Sequence, residues 1–186
     1  MKDIDQNTLE LARKGDIGAF EDIYKETSGF VYNVALRITR NSADAQEVTQ
    51  NVFLKIYRNL KSFAFRSAFK TWVYRITVNT AINYYRKSMK EQKRRVDFDD
   101  IAPTLANSSV TSENVIKSDN ESRLQSLLGL LSLEHKACLV LREIEGLSYQ
   151  EIAVSLRIPI NTVRSRLKRA RQALLEEARK GRKDAL

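Results

Sequence analysis

The residues with types and spacing suited to chemistry fall mainly in two stretches. From Asn161 to Gln172 there are five cations (Arg164, Arg166, Lys168, Arg169, Arg171) and no acidic residue. Val163, Leu167, Ala170 and Leu174 recur through them at i, i+4, i+7 and i+11, the apolar stripe of one helix. On a helical wheel Ser165, Lys168, Arg169 and Gln172 point away from that stripe, with Arg164 and Arg171 on one flank. A helix held by its stripe and presenting forked guanidinium groups suits the DNA major groove, where arginine pairs with guanine edges and phosphates. The plainer alternative is a solvated basic face on an ordinary helical hairpin.

What precedes this helix favours the DNA reading. In LSYQEIAVSLRIPINTVRSRLKRARQALL, Leu147 to Leu175, Ser148 and Glu151 form the S-x-x-E pattern of a capping box. Ile152, Ala153 and Leu156 give the first helix a buried side, and Pro159 disfavours helical geometry at Ile158. Asn161 is expected to cap the second helix, with Thr162 beside it. Two short helices about a sharp turn, the second strongly basic, predict a helix-turn-helix.

The second stretch is KSFAFRSAFKTWVYRITVNTAINYYRK, Lys61 to Lys87. Phe63, Phe65, Phe69, Trp72, Tyr74, Tyr84 and Tyr85 lie among Lys61, Arg66, Lys70, Arg75, Arg86 and Lys87. Aromatic faces stack on unpaired bases while cations hold the backbone, the combination used for single-stranded nucleic acid. Phe69, Trp72, Val73 and Ile76, at helical spacing, are read as core. The loop Phe63 to Ser67, with Asn79, Asn83 and Tyr84, is read as exposed and in contact with the strand.

Other reactive residues point to little. Asp97, Asp99 and Asp100 carry oxygens that magnesium favours, but no rigid element fixes octahedral geometry there. His135 and Cys138 stand one turn apart, yet two ligands fall short of a tetrahedral zinc site. His135 is the sole histidine, and no nucleophile has a base beside it. An enzyme is not expected, and neither metal nor cofactor is implied.

The elements that position these groups read as helices. Leu9 and Ala12 mark a first helix ending near Gly15, and Ile17, Phe20, Ile23 and Tyr24 a second. Val31, Val34, Ala35 and Ile38, after Gly29, mark a third, and Ser42 is expected to cap a fourth. That fourth helix turns Ala45, Val48, Val52, Phe53 and Ile56 inward and Asp44, Glu47, Gln50, Asn51 and Lys55 outward, by itself only a solvated face. From Gln92 to Glu121 no stripe persists, and between Asp97 and Glu121 six acidic residues face one basic, Lys117. Such a polar segment reads as a linker. Beyond it Leu124, Leu127, Leu128 and Leu131 open another helix; Ser132 starts the next, with Ala137, Cys138, Leu141 and Ile144 inward and Gly146 as its stop.

The expected fold is therefore all-α. Two small helical domains, 1–91 and 122–186, are joined by a flexible acidic linker, 92–121, and the second is a four-helix domain ending in the helix-turn-helix. Both domains are cationic, with 15 basic against 10 acidic residues in 1–91 and 13 against 7 in 122–186. The whole chain carries +9, which points to a polyanionic partner. One cysteine permits no internal disulfide, and no apolar run approaches the roughly 18 residues of a membrane span. MKDIDQNTLELARKGD lacks the apolar core of a signal peptide, so a cytoplasmic protein without membrane insertion is expected.

These stretches, in this order, resemble the extracytoplasmic-function sigma factors of bacterial RNA polymerase across nearly the whole chain. DAQEVTQNVFLKIYRNLKSF is similar to the family's segment that docks on the clamp helices of core polymerase, FKTWVYRITVNTAINYYRK to its −10 recognition and melting segment, and GLSYQEIAVSLRIPINTVRSRLKRARQAL to its −35 reader. The resemblance implies a sigma factor that binds core RNA polymerase and promoter DNA and that an anti-sigma partner restrains. It places Asp44, Glu47, Gln50, Asn51, Phe53 and Lys55 in the docking helix. For the −10 strand it implies Asn79 beside Phe63 and Ser67, with Phe65, Arg66, Lys70, Arg75, Asn83 and Tyr84 around them. For the −35 duplex it implies Arg164, Ser165, Lys168 and Arg169, with Asn161, Thr162 and Arg171 alongside. Three positions depart from the family pattern: Asn51 is usually acidic, Phe65 stands where glycine is common, and Asn161 replaces a common glycine. The rival is a dimeric helix-turn-helix regulator that binds duplex DNA without polymerase, against which the aromatic stretch speaks.

Overall fold

The computed structural model describes residues 4–65, 67–96 and 115–183. They are helical throughout: α1 (Gln6–Lys14), α2 (Ile17–Thr39), α3 (Ser42–Leu60), α4 (Phe69–Val96), α5 (Val115–Gly129), α6 (Leu133–Leu139), α7 (Tyr149–Leu156) and α8 (Ile160–Lys183). Short polar caps set the boundaries. Asp5 accepts from the N–H groups of Asn7 and Thr8 at 3.1 Å, Asp16 from Ala19 at 2.7 Å and Asn41 from Asp44 at 3.0 Å. Gly15, at φ 99°, ends α1 in the left-handed region that glycine enters without steric cost.

In the N-terminal group α2 packs against α1, α3 and α4, and α3 against α4. The predicted inward residues of α3, Ala45, Val48, Val52, Phe53 and Ile56, are all buried. In the C-terminal group α8 lies across α6 and α7. The capping box of α7 is complete: the Glu151 N–H donates to Ser148 Oγ at 3.2 Å, and the Ser148 N–H donates to Glu151 Oε2 at 2.8 Å.

Local expectations fail where tertiary packing decides. The break expected at Gly29 is absent, because Ile23, Thr27, Val31, Val34 and Ile38 form one buried stripe on both sides of it. That burial outweighs the roughly 1 kcal/mol cost of a mid-helix glycine. Ile17, expected on the stripe, is 77% exposed in the first turn of α2. Asn41, not Ser42, caps α3. Helix runs into both ends of the expected linker, to Val96 and from Val115. After α6 the chain widens into a π turn over Val140–Ile144, where the Glu145 N–H reaches the Val140 carbonyl. The extra residue rotates Ile144 out of the core, leaving it 37% exposed instead of inward. Asn161 lies inside the first turn of α8, whose leading N–H groups at Thr162 and Val163 bond to the Pro159 carbonyl, so it is not the cap.

Candidate nucleic-acid interface

α8 is pinned by Val163, Leu167 and Ala170, each fully buried. Asn161, Arg164, Ser165, Lys168, Arg169 and Arg171 are exposed, and Thr162 is half-buried. Two of these are already engaged. Arg164 donates to Asn161 Oδ1 at 3.0 Å, and Arg171 donates twice to Glu143 Oε1, at 2.6 and 3.2 Å. Arg166 is half-buried and turns toward Glu134, His135 and Cys138 of α6. The Asn161 amide is neutral and leaves Arg164 its charge, whereas Glu143 neutralises Arg171, so the unneutralised basic face is Arg164, Lys168 and Arg169 around Ser165. Burial pushes the Cys138 thiol up and, with Arg169 and Arg166 adding repulsion, the His135 imidazole down. Among the described residues no group of three His, Cys, Asp or Glu is placed to hold a metal.

The loop before α4 is organised around Phe63. The sequence places this ring in the open; it is 4% exposed, packed on Phe69 at 5.6 Å, Trp72 at 5.1 Å and Phe65 at 4.9 Å. It is the hub of an aromatic cluster, since burying a ring among rings stabilises more than a solvated stack. Phe65 is 37% exposed and left-handed, at φ 53°. Two clefts flank the hub. One, about 580 Å³, is lined by Ser62, Phe63, Ser67, Trp72, Arg75 and Val154. The other, about 440 Å³, gathers Lys55, Asn59, Trp72, Arg75, Asn79 and Arg157.

Arg75 lines both clefts, with Asn79 in one and Ser67 in the other, while other predicted strand residues lie elsewhere. Asn83 is exposed, further along α4. Lys70 lies 5.8 Å from the Tyr74 ring and faces α7, where it joins the Ser148 N–H and hydroxyl in holding the Glu151 carboxyl below its usual range. Tyr84, expected on the strand, sits instead against α3. Its hydroxyl hydrogen-bonds with Glu47 at 2.8 Å and lies 3.3 Å from Asp44, and these carboxylates hold the phenol protonated well above its usual range. Arg66 lies outside the described residues, as do Asp97, Asp99 and Asp100.

The six docking candidates lie on three edges of α3. Asp44 and Glu47 meet Tyr84; Gln50 lines a groove of about 390 Å³ with Tyr24, Ser28 and Tyr32 of α2; Lys55 donates to Thr80 at 3.0 Å inside the Asn79 cleft. Asn51 is half-buried, and Phe53 is 7% exposed, its ring 4.5 Å from Tyr24.

Residues 23–91 match the Sigma-70 region 2 family and residues 121–174 the Sigma-70 region 4 family. The chain is 36% identical over 182 residues to the ECF RNA polymerase sigma-E factor of Escherichia coli K12, covering 91% of this chain and 92% of that one. It is 32% identical over 179 residues to the RNA polymerase sigma-H factor of Pseudomonas aeruginosa, covering 91% of each. The chain belongs to the extracytoplasmic-function sigma factors. Its fold is that of CnrH, solved in complex with the cytosolic domain of CnrY (TM-score 0.70, 22% identity, 94% of this chain and 96% of that one). It is also that of the sigma factor RpoE of Bartonella quintana, solved with the anti-sigma factor NepR (TM-score 0.65, 22% identity, 86% and 96%).

This sigma factor directs promoter-specific transcription initiation, the work of a non-enzymatic initiation factor family. No helix among its described residues is long and apolar enough to cross a membrane. Its two helical groups pack directly on one another, which the sequence does not announce. α7 lies against α4, and the Tyr74 hydroxyl donates to Glu145 Oε2 at 3.1 Å. Arg86 pairs with Glu134 at 2.6 Å. Lys136, 3% exposed, reaches the Ile38 carbonyl at 3.5 Å and lies over the Tyr85 ring. Burial, with Arg40 adding repulsion, pushes the Lys136 ammonium down to about 8. Sequence reasoning missed Trp72, Thr80, Val154 and Arg157 as cleft residues. Only Trp72 carried a signal, as an aromatic among cations; Thr80 lies one residue past Asn79 on α4, and Val154 and Arg157 arrive from the other domain.

Proposed function

We propose that this sigma factor grips a promoter at two points. Residues 122–186 anchor on −35 duplex, with Arg164, Lys168 and Arg169 reading base edges and phosphates and Ser165, Asn161 and Thr162 supporting them. Arg171 contributes less, because Glu143 holds it. Residues 1–91 dock on the clamp helices of core polymerase through the exposed face of α3. They then take an unpaired −10 base in the Asn79 cleft, with Trp72, Arg75 and Lys55 among its walls and Ser67 in the adjoining cleft, which shares Trp72 and Arg75. Phe63 lines the adjoining cleft and acts on the Asn79 cleft through Trp72, which packs on it. Residues 92–121 join the two parts, no step involves catalysis by this chain, and it acts in the cytoplasm.

An anti-sigma partner belongs to this reading. One structural neighbour, the Bartonella quintana sigma factor, was solved with an anti-sigma factor bound. The single observation that most supports the grip is the division of α8: three buried apolar residues fix it, and three unneutralised cations face outward.

The test is run-off transcription with sigma-free core polymerase on pooled bacterial promoters. Transcripts that require the protein, sharing two upstream elements, are the expected result. No transcripts, together with tight binding of duplex DNA by the protein alone, would refute the reading in favour of a conventional regulator. Asn79→Ala is expected to impair strand opening more than −35 binding; equal loss of both would contradict the division of labour.

A further inference from the structure

α1 precedes the region 2 match, which begins at residue 23, yet it reaches the strand-trapping loop. Arg13, in its last turn, sets its guanidinium over the Phe65 ring at 5.1 Å, and Phe65 leans on Phe63. Phe65 holds a left-handed backbone at a position where the resemblance expects glycine, so the cation above and the ring below fix a conformation that phenylalanine alone disfavours. Beside this stack lies a cleft of about 220 Å³ lined by Glu10, Arg13, Lys14 and Lys61. The three cations make no hydrogen bond or ion pair among the described residues, and the Nε of Arg13 is buried without a partner. Lys61 adjoins Ser62, which lines both clefts around Asn79 and Ser67. That adjacency offers a strand whose base enters the Asn79 cleft a route for its backbone along this loop toward α1.

We propose that the Arg13–Lys14–Lys61 cleft binds a backbone phosphate of the unpaired −10 strand, and that Arg13 positions Phe65 and the loop for it. The proposal rests on the strand-trapping reading above. Three cations against one carboxylate leave the cleft an excess of two positive charges, suited to a phosphodiester. Held by stacking, the Arg13 guanidinium keeps its outer N–H groups free to donate. Phosphate contacts of this kind set register without reading sequence.

The experiment uses the full chain assembled with core polymerase and an end-labelled single strand spanning the −10 region of a mapped promoter. Each phosphate in turn is replaced by an uncharged methylphosphonate, and binding is followed by fluorescence anisotropy against salt. Wild type is expected to weaken at one or two adjacent phosphates on one side of the Asn79-dependent base. Lys14→Gln with Lys61→Gln, both exposed and outside the aromatic stack, is expected to abolish that position-specific loss. It should also flatten the salt slope by about 0.7 per lost phosphate contact, equally for all sequences. Arg13→Lys keeps the charge but loses the planar stack, and is expected to keep the slope while loosening base preference. If these variants leave slope and phosphate scan unchanged while Asn79→Ala loses base preference, the cleft proposal falls and strand trapping stands. A flattened slope with Asn79→Ala silent supports the cleft and removes Asn79 from its role. No effect from any variant overturns both.

Discussion

The contact between the two domains makes a sharp prediction for Tyr74→Phe. The Tyr74 ring is 1% exposed and packs edge-on to Phe30 at 4.4 Å, and phenylalanine keeps that packing. What is lost is one hydrogen bond, at 3.1 Å, to the half-buried Glu145 carboxylate on the other domain. Bonds to charged acceptors are worth about 1.5–3 kcal/mol, and the lower end applies because Glu145 retains access to water. Two other polar links cross the contact: Lys136 to the Ile38 carbonyl, long at 3.5 Å, and Arg86–Glu134, whose side chains are 59% and 36% exposed and which contributes about 0–1 kcal/mol. A loss near 1.5 kcal/mol lowers the ratio of closed to open molecules by about tenfold. Single-molecule energy transfer between dyes on α2 and on the solvent face of α8 reads that ratio directly. The open fraction is expected to rise about tenfold, with the thermal stability of the N-terminal helices little changed. A distance distribution identical to wild type would refute the reasoning, and so would an equal loss of stability within the N-terminal group.

Three further predictions concern α8 and the buried lysine. Leu167→Ala removes a fully buried side chain from the seam of α8 with α6 and α7 and is expected to cost about 2–5 kcal/mol of stability in thermal unfolding, with −35 binding lost although no cation has changed. Arg169→Ala is expected to weaken −35 binding by about 1–3 kcal/mol and to relax base preference in a footprint. Arg171→Ala, whose partner is Glu143, is expected to change both by less. Lys136 has its ammonium depressed from 10.5 to about 8 in the folded protein, so between those values the unfolded chain binds the proton and the native one does not. Stability is therefore expected to rise with pH across that window, by up to roughly 3 kcal/mol, and Lys136→Met should flatten the rise in pH-dependent denaturant melts.

What the sequence determined by itself is whatever depends on neighbours three to eleven positions apart. The S-x-x-E pattern at Ser148 predicts the capping box that forms, because both partners lie within one turn. The stripe of Val163, Leu167 and Ala170 predicts which side of α8 is buried and so which cations face out. Ala45, Val48, Val52, Phe53 and Ile56 do the same for α3. The tertiary structure decided everything that depends on a partner distant in the chain. Phe63 is a hub because Phe69 and Trp72 close over it; Lys55 leaves the docking row for Thr80, 25 residues on. Tyr84 sits against α3 because the Glu47 and Asp44 carboxylates there are within reach of its hydroxyl. Gly29 stays helical because burial on both sides outweighs its propensity. Periodicity reports which face of a helix is apolar, whereas the identity of what covers that face is settled only when helices far apart in sequence compete for the same buried area.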